Sequence, residues 1–188
     1  MRLIRYNAPV ILTYAFLSLA VLGLDALTGH TVAPRFFAAP PDLALASPLT
    51  YVRLLTHIAG HAGWPHLAGN FTFILLIGPM LEERHGSRAL LTMIVITAVV
   101  TGAANAILSD AAVMGASGIV FMLIILASRT GASGGIPLTF ILVALLFLAP
   151  EVAHAFRKDQ ISQLAHLVGG GCGALFGFIT APPADRRS

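Results

Sequence analysis

Two tetrads of small residues, GASG at Gly115–Gly118 and again at Gly131–Gly134, each present a serine with no bulky neighbour. A serine in such a setting can act as a nucleophile. A histidine takes the hydroxyl proton, an acyl intermediate forms, and the proton returns to the leaving amine. The histidine for that role is His166, in AHLVGGGCG. Asp110 and Asp159 read as loop residues, so the chemistry on offer is a Ser–His dyad rather than a triad. His66 and Asn70 stand at i and i+4, on one helical face. Their imidazole N–H and amide NH₂, with the Ser117 backbone N–H, could serve a tetrahedral oxyanion; taken alone, the pair reads more readily as a structural polar clamp.

These groups are informative because of where they sit. The chain is 57% hydrophobic and only 10% charged, with a mean hydropathy of +0.87, against about 25% charge in soluble globular domains. This is the composition of an integral membrane protein. Charges collect between neutral runs, each near the roughly 20 residues that cross a bilayer as a helix. The runs cover about residues 6–24, 64–81, 89–109, 115–128, 136–150 and 160–181. The expected fold is an all-α bundle of six transmembrane helices, forming one domain over residues 1–188. The basic start MRLIRYN could open a cleaved signal peptide; without a clean A-x-A-like site after the first run, it reads as a retained helix.

With the N-terminus inside, Arg2, Arg5, Arg84, Arg88, Arg129, Arg186 and Arg187 are cytoplasmic, and Arg35, Arg53, Arg157 and Lys158 are not. Seven against four favours an N-in/C-in topology. The pI near 9.6 then reflects orientation and not nucleic-acid binding, since the arginines are dispersed. Cys172 has no partner for a disulfide and reads as a small interface residue.

Parity along the six spans sets His66, Asn70, Ser117 and His166 toward the outer face. Ser133 follows Ser117 by 16 residues, about 24 Å of helix, and belongs on the opposite face. Ser117 is therefore the nucleophile candidate, and Ser133 a loop serine. Gly169, Gly173 and Gly177 follow His166 at i+3, i+7 and i+11. In lipid, such small-residue stripes let helix backbones approach closely, and Gly115, Ala116 and Gly118 are equally small.

In order and spacing, LLTHIAGHAGWPHLAGN, LEERHGS, GASG and AHLVGGGCG resemble the rhomboid intramembrane serine proteases, over about Leu54–Phe178. The resemblance implies Ser117 as nucleophile, His166 as general base, and His66 and Asn70 as oxyanion donors. It implies structural roles for His57 and His61 on the approach to the second span. It likewise makes Glu82 a helix-end carboxylate that ties loops together, and Gly169 with Gly173 a close-packing pair. It further implies single-span membrane proteins as substrates, no cofactor or metal, and a multi-pass plasma-membrane protein whose site faces outward. Two positions depart from the family pattern: Val52-Arg53 stands where Trp-Arg is frequent, and Pro65 precedes His66.

The fourth run has only 14 residues, roughly 21 Å of helix against a hydrocarbon core of about 30 Å. Its head must lie below the outer surface, reached by a dipping LSDAAVM segment and opening on a water-filled pocket. PEVAHAFRKD, Pro150–Asp159, is expected to cap that pocket, with substrate entering past the fifth span, as the resemblance implies. Other chemistries find less support. H-E-x-x-H is absent, there is no intramembrane aspartate pair, and a His57/His61/His66 metal site lacks a carboxylate or cysteine and requires a helix across Gly60, Gly63 and Pro65. A non-proteolytic relative that binds transmembrane helices is the competing function.

Overall fold

The computed structural model describes residues 6–42, 44, 46–129, 136–154 and 161–180. Eight α-helices are present among them: α1 Pro9–Leu27, α2 Val32–Phe36, α3 Pro48–Thr56, α4 Trp64–His85, α5 Ser87–Leu108, α6 Ser117–Arg129, α7 Leu138–His154 and α8 Ile161–Ile179. A single 3₁₀ turn, His57–Ala59, follows α3. The described residues contain no β-strand, only an isolated antiparallel bridge between Ala39 and Val113.

Proline sets three of the starts. Pro9, Pro48 and Pro65 occupy the first turns of α1, α3 and α4, where a missing N–H costs nothing. α1 begins and ends later than the hydropathy run at 6–24. Its C-terminal shift has a specific cause: Asp25 is buried, accepting the Ala33 N–H at 2.7 Å and facing His30 Nδ1 at 2.9 Å. The carboxylate therefore stays inside the helix and caps α2. α4 runs past the expected Leu81 to His85, because Glu and Arg are good helix formers at an exposed end. It stops at Gly86, whose φ of +83° suits glycine, and α5 begins at once.

The connection between the first two hydropathy runs is partly helical, holding α2, α3 and the 3₁₀ turn. The expected cap is also corrected in part, since Pro150–His154 continues α7; residues 155–159 lie outside the described residues, as does the second tetrad with Ser133.

α6 is the centre of the bundle. Ile119, Met122, Leu123, Ile125 and Leu126 are fully buried, as expected of a helix that is apolar all round. α4, α5, α7 and α8 pack around it. Among the described residues two helices, α1 and α5, are long and apolar enough to cross a membrane, and α6 and parts of α7 and α8 are shorter apolar helices. Leu17, Leu24 and Leu27 on α1 and Leu142, Leu145 and Leu146 on α7 are exposed, a surface suited to lipid.

The closest approach in the bundle is between α6 and α8. A Cβ on Gly169 would collide with the Gly118 carbonyl, and one on Gly173 with the Met122 carbonyl. One on Gly177 would lie 2.9 Å from the Arg129 side chain. Both helices advance by four residues between the first two contacts, so they run parallel, backbone against backbone. Gly169→Ala and Gly173→Ala are each expected to lower thermal stability in detergent by about 1–3 kcal/mol, the usual cost of overpacking. Gly171→Ala, where a Cβ meets nothing within 4 Å, should be neutral or stabilising by melting temperature.

Candidate active site

Ser117 is the first residue of α6, reached by the non-helical segment 109–116. The segment is tied down at successive points. Val113 and Ala39 exchange both backbone hydrogen bonds at 2.9 Å, and the Gly115 N–H donates to the His57 carbonyl at 3.0 Å. The buried Asn105 amide donates to the Ala111 carbonyl at 2.9 Å and to that of Pro40 at 3.4 Å. The first connection and α5 together thus hold the backbone that delivers the serine. The expected dip is present: Gly118 packs on Thr101, seven residues before the end of α5, so α6 starts about 10 Å below that end at 1.5 Å per residue.

His66 and Asn70 lie one turn apart on α4 and converge on the same point. A Cβ at Gly115 would be 2.7 Å from both Cε1 and Nε2 of His66 and 3.8 Å from Asn70 Nδ2. Gly115 also has φ +133°, so glycine is required there for conformation and for space. The His66 Nδ1 accepts the Ala62 N–H at 3.4 Å, which assigns the ring proton to Nε2, the edge toward Gly115. Asn70 Nδ2 is buried and has no hydrogen-bond partner among the described residues. Two N–H donors are therefore presented side by side, two residues before Ser117.

His166 comes from α8, across the glycine contact. A Cβ at Gly118 would lie 3.2 Å from the Ala165 carbonyl, so the residue after Ser117 meets the residue before His166. The imidazole stacks on Phe121 with centroids 4.3 Å apart and planes 6° from parallel. Phe121 is one turn below Ser117 on α6. The two expected catalytic residues are brought to one level on adjoining helices, with His66 and Asn70 entering from a third.

His57 and His61 are buried, and among the described residues no group of three His, Cys, Asp or Glu side chains is placed to hold an ion. The helix that a His57/His61 pair would need is broken after Ala59. Each Nδ1 instead donates to a nearby carbonyl, Leu54 at 3.1 Å and Ala59 at 3.3 Å. The His61 ring meets His66 edge-on, with centroids 5.0 Å apart, and so limits its orientation. Glu82 is far from this cluster in sequence and use. Its oxygens accept the Val10 and Ile11 N–H groups at 3.0 Å each and the Ser87 hydroxyl at 2.7 Å, joining the start of α1 to the α4–α5 corner.

Three supporting residues carry little sequence signal: Phe121, Thr101 and Asn105. For Asn105, its position in an otherwise apolar helix is the available signal. Phe121 carries only its i+4 spacing from Ser117, and the Ala39–Val113 bridge carries no side-chain signal.

A bundle with a core helix apolar on every side, two helices of membrane-spanning length and polar groups gathered at one helix head defines a helical membrane protein. The chain belongs to the rhomboid family: the Rhomboid domain model matches residues 48–183. No individual curated protein matches it significantly.

Burial depresses the pKa of both His57 and His61 from 6.5 to about 4, with the neighbouring His66 adding to the effect on His61. In the unfolded chain both titrate near 6.5. Between those values the unfolded state binds more protons, so stability rises with pH. Their contribution is complete above pH about 6.5 and is lost as pH falls toward 4. Melting temperature in detergent should drop across that window, and His57→Asn, which keeps a donor near Nδ1, should flatten the drop.

Proposed function

We propose that this chain is an intramembrane serine endopeptidase that cleaves single-span membrane proteins in or near their membrane segments. The observation carrying this reading is the convergence of His66 Nε2 and Asn70 Nδ2 on Gly115, beside the serine that heads α6. Ser117 attacks the scissile carbonyl while His166 accepts its proton, then returns it to the leaving amine. His66, Asn70 and the Ser117 backbone N–H stabilise the oxyanion. Phe121 keeps the His166 ring in plane, and His61 limits rotation of His66. No metal or cofactor takes part.

In the same reading the chain is a single six-span domain, N-in/C-in, in the plasma membrane, with Ser117 opening to the extracytoplasmic side. The depth of Ser117 below the end of α5 supports a recessed aqueous pocket, which water must reach for hydrolysis. A catalytically inactive rhomboid-like protein that binds transmembrane helices is the alternative. A binding protein has no use for a buried, unpartnered amide beside a glycine that admits no side chain, and this favours the protease.

A fluorophosphonate probe distinguishes them. Wild type and Ser133→Ala should label, whereas Ser117→Ala should not and His166→Ala should label far more slowly. Asn70→Ala should retain folding and lose on the order of a hundredfold in cleavage of a model transmembrane substrate, the usual cost of one oxyanion donor. Absence of labelling in wild type would establish the binding alternative.

A further inference from the structure

An apolar groove of about 530 Å³ lies between α1, α5 and the end of the first connection. Its walls run from Pro9 to Leu17 on α1 and from Ser87 to Val95 on α5, an end-to-end distance of about 12 Å at 1.5 Å per residue. Residues from Leu55 to Ala59 close the far end. α1 and α5 are the two helices long and apolar enough to span a membrane, and Leu17, Leu91 and Val95 are exposed along the groove. It opens where hydrocarbon is the solvent.

We propose that this groove binds one acyl chain of an anionic phospholipid, with its headgroup at the Pro9/Ser87 end. Size selects the occupant. A helix is about 10–12 Å across, as wide as the groove is long, whereas an acyl chain is one methylene wide and lies lengthwise between the two walls. Polarity orients the lipid. The interior end is closed by apolar residues of the first connection, whereas the other end meets Ser87 and, next to it, exposed Arg88, with exposed Arg84 just before the corner. Glu82, the buried acid at that corner, is already engaged by two backbone N–H groups and the Ser87 hydroxyl, so the exposed Arg84 and Arg88 face one exposed carboxylate, Glu83. Tyr6, more than half exposed, donates to or accepts from Thr13 of the groove wall at 2.9 Å, the position of an interfacial aromatic. Basic residues of this kind favour anionic headgroups at a membrane surface.

This binding does not depend on proteolysis, and its test does not read it. The full chain, in detergent micelles, is irradiated with a phosphatidylglycerol carrying a diazirine midway along one acyl chain, and the crosslinks are mapped. Saturable labelling of Leu91, Val95 and Leu55, competed by unlabelled phosphatidylglycerol, is expected in wild type. Val95→Trp should remove most of it, whereas Val99→Trp, on the exposed face of α5 outside the groove, should leave it intact. Each of Arg84→Gln and Arg88→Gln should reduce the preference over phosphatidylcholine by about fivefold. Labelling that never saturates and spreads equally to Leu76 and Leu146 in wild type overturns the site. Equal competition by phosphatidylcholine overturns the anionic headgroup assignment.

Discussion

The backbone contact between α6 and α8 is the constraint on which the rest depends. In hydrocarbon, apolar side chains gain nothing by leaving lipid for one another, so association rests on packing and on polar contacts. Gly118 against Gly169, and Met122 against Gly173, remove the side chains that would otherwise separate the two helices. The approach brings the head of α6 level with His166 and lets Phe121 meet the imidazole face to face. Without it the serine and the histidine would stand a side-chain layer apart, and no later adjustment of rotamers would close the gap.

Around that contact the polar groups divide into two kinds. Glu82 and Asp25 terminate or begin helices, satisfying N–H groups that have no intrahelical acceptor. His57, His61 and Asn105 support the segment before Ser117 or the ring of His66. In the proposed reading, His66, Asn70, Ser117 and His166 are the groups that meet a substrate. The economy follows from the solvent: each polar group placed at membrane depth has to be matched by another.

Much of this was legible in the chain because glycine spacing and isolated polar residues are strong signals in an apolar sequence. The Gly169/Gly173 register, the shortness of α6 and the break before Trp64 could all be read from residue types. The course of the first connection could not, nor could the overrun of α4 to His85 or of α7 to His154. Hydropathy marks where a helix leaves lipid, not where its hydrogen bonds stop. Asp25 shows the reverse error: a carboxylate that looks like a helix boundary is retained within the helix because its partners arrive from the next turn.

The first connection grips the serine segment through main-chain atoms, Ala39 to Val113 and His57 to Gly115. Such bonds do not record which side chains the gripping residues carry. Evolution is therefore free to rewrite much of this stretch, provided its path is kept. Arg53 adds a further main-chain anchor, reaching back to the Arg35 carbonyl.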